Sequence, residues 1–468
     1  MRLDELIKGT GATILRGDGG KDIKSVTSDS RKVTGGALFI AVKGCSADGH
    51  AYVESAMEAG AVAAIDADRK ALALIADRFY GHPSGELKLV GITGTNGKTT
   101  TVTLLYHLFR SLGYECGLLS TIANYVGERR SEAVNTTADP ITVNSLMREM
   151  VDAGCEYCFM EVSSIGLEQD RTAGLEFRVG IFSNLTHDHL DYHGTFAEYL
   201  RCKKLFFDSL PSTATALVNA DDRNGQVMVQ NTAAKVETYS LRTAADHTCR
   251  IIEQSVDGMV LRIDGTEVCT RLVGVHNAYN LLAIYSAALC LGAGRDETLV
   301  ALSALGPAPG RFENISGPDS ISVIIDYAHT PDALENVLKT LRSLCCNGRK
   351  LVCVFGCGGD RDTTKRPEMA AVAEKYSDRI FVTEDNSRTE SPERIFEDIR
   401  AGFSAKGLAK TVFIHDRREA IRTAISLSGG NTAILLAGKG HEDYQITSEG
   451  KKRFVEREIV EEAFKTMR

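Results

Sequence analysis

Short, unbroken apolar runs recur along the chain, and each stops at a polar or glycine-rich loop. That is the pattern of strands covered on both faces rather than on one. Up to about Glu86 the runs are few: a strand at Ala37–Val42, a helix near Tyr52–Ala59, and a Gly81-His82-Pro83-Ser84-Gly85 stretch that reads as a linker. A second block opens with a strand at Leu87–Ile92, a glycine-rich turn and a helix over Lys98–Leu112. Strands Tyr157–Val162 and Arg178–Ser183 follow, then helices Glu198–Leu210 and His276–Leu291, and the breaker run Gly306–Gly310 closes the block. Beyond it, strands Val323–Ile325, Leu351–Phe355, Ile380–Val382, Thr411–Ile414 and Ala433–Leu436 alternate with helical segments. This alternation predicts an α/β fold with a mostly parallel, doubly wound sheet, whose ligands sit at the C-terminal ends of the strands.

Length supports the division. At roughly 150 residues per domain, 468 residues suggest three. The net charge of −8 argues against nucleic acid as a partner and requires any anion site to be locally positive. The 12 cysteines form no zinc pattern; Cys155 and Cys158, and Cys353 and Cys357, read as buried thiols suited to a reducing cytosol. No apolar run reaches the ~18 residues of a membrane span, and the first residues lack the pattern of a signal peptide.

The sharpest chemical signal is Gly94-Thr95-Asn96-Gly97-Lys98-Thr99-Thr100, set between a strand and a helix. Glycines let backbone N–H groups turn onto phosphate oxygens, and the helix N-terminus adds positive potential. Lys98 would reach the β- and γ-phosphates and Thr99 would ligate Mg²⁺. Position 92, where the general pattern has its first glycine, is Ile92; Gly91 and Gly94 are the nearest.

Three further features cluster after strand ends. Glu161 is placed to hold Mg²⁺ beside a phosphate loop. His187, Asp188, His189, Asp191 and His193 crowd one loop, readable as a Mg²⁺ site, a zinc site or a solvated loop. Lys203 and Lys204 read on their own as a surface basic pair.

In combination these residues resemble the Mur ligases. The resemblance runs through Thr27–Arg31, the loop Gly94–Thr100, Asn135-Thr136-Thr137, Glu161–Ser164, Asp188–His193, His276-Asn277 with Asn280, Pro309-Gly310-Arg311, Asp326–His329 and Gly438–Glu442. It implies an N-terminal UDP-MurNAc-binding α/β domain over 1–88, a central P-loop ATPase-like domain over 89–306, and a C-terminal Rossmann-like, amino-acid-binding domain over 307–468. The implied reaction is ATP-dependent. A carboxyl group of UDP-MurNAc-L-Ala-D-Glu is phosphorylated, and an amino acid attacks the acyl phosphate, as a step of peptidoglycan precursor synthesis in the cytoplasm.

The resemblance also assigns residues. Lys98, Glu161, His189 and Lys203 are catalytic, and Mg²⁺ is held by Thr99, Glu161, His189 and a carbamylated Lys203. Besides the loop Gly94–Thr100 (Gly94, Thr95, Asn96, Gly97, Lys98, Thr99 and Thr100), ATP meets Asn277, Asn280, Arg311 and Asp326. Ser28, Ser30, Thr136, Thr137, Ser163, Gln169 and Arg171 contact the UDP-linked dipeptide. The implied partners are small molecules, with no nucleic acid, no membrane insertion and a monomeric chain.

The added amino acid is read from Asp385-Asn386-Ser387-Arg388, similar to the Asp-Asn-Pro-Arg of enzymes that add meso-diaminopimelate. A guanidinium suits the second carboxylate that lysine lacks. Arg361, Asp385, Asn386, Arg388, Gly438 and Glu442 are the implied pocket. Ser387 stands in place of proline, so a looser loop with the charge match intact is expected. The alternatives are L-lysine as the added amino acid, folylpolyglutamate synthase, the D-Ala-D-Ala-adding branch, and a P-loop ATPase switch. Thr27–Arg31 argues against the second and Asp385–Arg388 against the third; the switch would hydrolyse ATP without needing both acceptor and amino acid.

Overall fold

A computed structural model of the chain describes residues 1–44, 47–186, 188, 190–255, 258–345 and 348–467. Three main sheets follow one another along the sequence. The first has four strands in the order Thr13–Arg16, Ala63–Asp66, Ala37–Ala41, Ser25–Thr27; the last three are parallel and Thr13–Arg16 is antiparallel. The predicted linker differs. Pro83–Glu86 forms a helical turn with Pro83 at its start, and Ser84 is buried with its Oγ accepting the Glu176 N–H at 3.1 Å. Proline's fixed φ suits it to open a helical turn, so the segment packs instead of hanging free.

The second sheet has eleven strands. Near its centre is Lys88–Thr93, paired in parallel with Phe177–Phe182 on one side and Tyr157–Glu161 on the other. All five residues of Tyr157–Glu161 are buried, as expected of a strand covered on both faces. Tyr157 and Phe159 join one apolar cluster with helix Lys98–Ser111, while Cys158 and Met160 join another. Cys155 and Cys158 are therefore buried thiols, and burial pushes both thiol pKa values up. Not foreseen was the antiparallel extension His247–Ser255, Gly258–Ile263, Thr266–Thr270 at one edge, with a hairpin, Asn124–Val126 and Arg129–Ser131, at the other.

The third sheet follows the expected alternation. Ser322–Asp326, Thr432–Ala437, Lys350–Phe355, Arg379–Val382 and Thr411–Phe413 are parallel in that spatial order, and Glu313–Ser316 adds an antiparallel edge. Leu351, Cys353 and Phe355 face helices Pro331–Leu344 and Lys365–Tyr376, whereas Val352 and Val354 face Arg417–Ser426 and Glu456–Thr466. Alternate residues of one strand thus serve opposite layers, which is what doubly wound means at the level of side chains. No helix among the described residues is long and apolar enough to cross a membrane.

Candidate active site between the second and third sheets

The strand order puts the phosphate loop between two other strand ends. Gly94 and Gly97 take φ of +152° and +88°. A Cβ on Gly94 would lie 2.0 Å from Ser183 Oγ, and one on Gly97 2.5 Å from Asn280 Oδ1. Only glycine lets this backbone pass so close to its neighbours. The loop is pinned by Asn96, whose N–H donates to Asn184 Oδ1 at 2.9 Å, while Ser183 Oγ donates to the Asn96 carbonyl at 2.7 Å. Thr95 Oγ1 lies 3.2 Å from the Tyr199 hydroxyl.

Two lysines converge on Gly94. Lys98 Nζ donates to the Gly94 and Thr95 carbonyls, both at 2.9 Å. Lys203 Nζ donates to the same Gly94 carbonyl at 2.8 Å and lies 4.6 Å from the centre of the Tyr199 ring. Lys203 is 1% exposed. Burial, then the charge of Lys98, push its pKa well below the ordinary lysine value; burial lowers Lys98 as well. The surface basic pair read from the sequence is thereby split: Lys204 alone pairs outward, with Asp208 at 2.5 Å. On this helix, Phe196–Asp208, one residue's shift turns a side chain from core to rim.

Glu161 is buried beside them. Its Oε1 accepts the Thr121 N–H at 2.8 Å, and its Oε2 has no partner among the described residues. A buried carboxylate oxygen without a donor suits a cation. Thr99 is buried, and its Oγ1 accepts from Arg311 Nη2 at 3.3 Å. The described donors, Thr99 Oγ1 and Glu161 Oε2, are oxygens, the ligand type that Mg²⁺ prefers. His189, with His187, lies outside the described residues.

The third sheet closes over the loop. Arg311 reaches Thr99, with its guanidinium 4.8 Å from the centre of the Tyr327 ring. Asp326 accepts the Phe312 and Ala328 N–H groups at 2.7 and 2.8 Å; burial raises its pKa against the opposing pull of Arg311. Asp332 accepts from Asn96 Nδ2 at 2.7 Å and from Thr186 Oγ1 at 3.3 Å. Between these groups lies a cavity of about 300 Å³, lined by Asn96, Gly97, Thr100, Asn277, Asn280, Arg311, Asp326 and Asp332. Asn277 and Asn280 are buried and bonded to each other at 3.2 Å.

A second group extends from Glu161. Thr121 Oγ1 bonds Thr136 Oγ1 at 3.1 Å; Thr137 Oγ1 donates to the Glu161 carbonyl at 2.9 Å and accepts the Ser163 N–H at 2.9 Å. Arg171 donates to the Thr137 carbonyl at 2.6 Å and to Gln169 Oε1 at 2.7 Å. Ser28 is exposed and Ser30 half-buried just after strand Ser25–Thr27.

A third group lies at strand ends of the last sheet. Asn386 Nδ2 donates to Glu442 Oε2 at 2.8 Å, and Arg388 Nη1 donates to the Gly359 and Asn386 carbonyls at 2.8 and 3.2 Å. Gly438, at φ +115°, passes so close to Asp385 that a Cβ would lie 2.6 Å from Oδ2. Arg361 is exposed on the neighbouring loop. The loop is not loose as the loss of proline suggested. Ser387 is buried, its carbonyl accepts the Glu390 N–H at 3.1 Å, and the Arg388 N–H donates to Ile446 at 3.2 Å, so hydrogen bonds hold what a ring would have held.

Sequence reasoning passed over Thr121, Asn184, Asp332 and Lys439. Lys439 had a visible signal, since it sits inside a motif both of whose ends were assigned. Asp332 and Asn184 had none, because their importance lies in contacts made across long stretches of chain.

Comparison with known proteins agrees with this geometry. Residues 22–89 match the family described as Mur ligase family, catalytic domain; 92–288 match Mur ligase middle domain; and 310–440 match Mur ligase, glutamate ligase domain. The chain is 49% identical to a UDP-N-acetylmuramoyl-L-alanyl-D-glutamate--2,6-diaminopimelate ligase of Parabacteroides distasonis, over 100% of this chain and 99% of that one. It is 46% identical to the protein of the same description from Phocaeicola vulgatus, over 99% of each chain. A solved structure of a UDP-N-acetylmuramoyl-L-alanyl-D-glutamate--2,6-diaminopimelate ligase superposes with a TM-score of 0.70 at 30% identity, covering 100% of this chain and 99% of that one.

Proposed function

The chain belongs to the Mur ligase family, and from that premise we propose that it is the ATP-dependent ligase that adds meso-diaminopimelate to UDP-N-acetylmuramoyl-L-alanyl-D-glutamate. The observation that carries the reading is that Lys98 and Lys203 meet on the Gly94 carbonyl of the phosphate loop while Arg311 of the third sheet reaches Thr99 of the same loop, beside a cavity lined by Gly97, Thr100, Arg311 and Asp326.

A carboxylate resists attack by an amine because its leaving group would be oxide. Transfer of the terminal phosphoryl group of ATP to a side-chain carboxylate oxygen makes a mixed anhydride and releases ADP. The amine then forms the C–N bond, phosphate leaves with the C–O bond's electrons, and the amine gives up a proton. Lys98 offsets the repulsion between phosphate and carboxylate. Gly94 to Thr100 hold the phosphates, Asn277 and Asn280 bound the cavity near the base, and Arg311 and Asp326 meet the nucleotide from the third sheet.

Thr99, Glu161, His189 and Lys203 would hold Mg²⁺. When bound, the metal neutralises phosphate charge and polarises the transferred group. An ammonium at position 203 would oppose that cation. Burial and the charge of Lys98, which lower its pKa, favour the neutral amine that can take up CO₂ as a carbamate, an anion suited to the site.

Ser28, Ser30, Thr136, Thr137, Ser163, Gln169 and Arg171 are the proposed contacts of the UDP-linked dipeptide. Arg361, Asp385, Asn386, Arg388, Gly438 and Glu442 are those of the amino acid. The proposed domains are 1–88, 89–306 and 307–468, acting as a monomer in the cytoplasm, where ATP is available.

The test is phosphate release with the UDP-linked dipeptide and a panel of amino acids. Release that needs both dipeptide and meso-diaminopimelate supports the reading. Preference for L-lysine would reassign the amino acid, and release without either substrate would make the protein an ATPase switch.

A further inference from the structure

We propose that Lys439, resting on the amino-acid pocket assigned above, is a positioning residue that, together with Asn386, fixes Glu442 to receive the ammonium group of the incoming amino acid. Lys439 is fully buried, and its three N–H groups have three acceptors: Glu442 Oε2 at 3.1 Å, Asn386 Oδ1 at 3.1 Å and Asp385 Oδ1 at 3.5 Å. These come from the ends of two different strands, so one side chain ties both halves of the pocket together.

The contacts also fix orientation. Asn386 Oδ1 receives both Lys439 and the Ile446 N–H, at 2.9 Å, so its Nδ2 must face Glu442. Glu442 Oε2 is then fully engaged. Among the described residues, Glu442 Oε1 has a single contact, 3.5 Å from the Tyr327 hydroxyl, and is the oxygen left to accept from a ligand.

Charge gives the same answer. Asp385 is buried and Glu442 half-buried beside it, two carboxylates in one pocket, and Lys439 cancels one of them. Arg417, near Asp385, is taken up by Glu456 at 2.8 Å. The pocket keeps one negative charge for one ammonium, with the Arg388 guanidinium available for a carboxylate. Tyr327, Tyr444 and His329 also face the cluster and are neutral at physiological pH. Without Lys439, two like charges would face each other with no cation between them, and Glu442 would lose the contact that sets its orientation.

The experiment compares wild type, Lys439→Met, Glu442→Gln and the double variant by phosphate release, with KM measured for each substrate. The expected result is a rise of at least about tenfold in KM for meso-diaminopimelate in Lys439→Met, with KM for ATP and for the UDP-linked dipeptide within about twofold. In the Glu442→Gln background Lys439→Met should add almost nothing, because the two act as a unit. An unchanged KM for the amino acid, fully additive effects, or an equal rise in all three KM values would overturn the proposal. If Lys439→Met fails to fold, Lys439→Gln, which keeps a neutral donor, is read by the same criteria. Wild-type protein that did not use meso-diaminopimelate would overturn the pocket assignment itself, together with this role; active wild type with an indifferent Lys439→Met would overturn the positioning role alone.

Discussion

Lys98 and Lys203, more than a hundred residues apart in sequence, donate to one and the same carbonyl oxygen, that of Gly94, at 2.9 and 2.8 Å. Two ammonium groups this close repel, and burial withdraws the water that would screen them. The structure thus makes a neutral amine at Lys203 the cheaper state. Lys203→Ala is expected to lower phosphate release by about a hundredfold or more, the scale on which metal-supporting groups act. Depleting CO₂ should slow wild type in the same direction. Full activity in Lys203→Ala would remove the lysine from the mechanism.

Gly97→Ala is expected to cost the nucleotide site more than the fold. The new Cβ would sit 2.5 Å from Asn280 Oδ1 at a backbone φ of +88°. Relief requires moving either the loop or the adenine-side asparagine. ATP affinity, measured by calorimetry, should fall at least about tenfold, while the thermal midpoint should shift by only a few degrees, reflecting a strain of about 1–2 kcal/mol.

Arg366 locks the two loops that carry Arg361 and Arg388. It is fully buried, bonds both Glu390 oxygens at 2.7 Å and Asp398 at 2.8 Å, and donates to the Gly358 carbonyl at 3.2 Å. The Arg366 hydrogen bonds hold the Glu390 carboxyl at a pKa of about 2, below its ordinary 4.5. A depressed carboxyl pKa stabilises the fold above the ordinary value, and that contribution is lost as pH falls from 4.5 through 2. Arg366→Met should destabilise by about 3 kcal/mol at neutral pH and flatten the stability profile over that acid range, read by urea unfolding at several pH values.

Arg388→Lys keeps the charge and removes the fork. The ratio of kcat/KM for meso-diaminopimelate over L-lysine should fall by at least about tenfold, mainly through the first substrate. An unchanged ratio would show that Arg388 does not read the second carboxylate.

Local chemistry was legible in the sequence, and its meaning was often not. The strand before Gly94 and the helix after it were visible because turn, cap and apolar run are all set by near neighbours. The acidic end of Tyr157–Glu161 was visible for the same reason, though only the fold shows that its Oε2 is buried without a donor among the described residues. Lys203 looked like half of a surface pair, and the linker at Gly81–Gly85 looked free. The structure buries Lys203 and Ser84 because burial depends on what packs against a segment from elsewhere, here the phosphate loop and residue Glu176.

By itself, the sequence determined the parallel strands of the second and third sheets that carry the site, the glycine cradle for phosphate and the residue types gathered at the strand ends, since those follow from φ/ψ preference and short-range periodicity. Tertiary structure alone decided that Lys88–Thr93 lies near the sheet's centre, flanked by Phe177–Phe182 and Tyr157–Glu161. It also decided that Asp332 meets Asn96, that Arg311 meets Thr99, and that Lys439 joins two loops. The physical reason is that pairing between distant segments is chosen by the total surface they bury and the polar groups they satisfy together, quantities that no local stretch of chain contains.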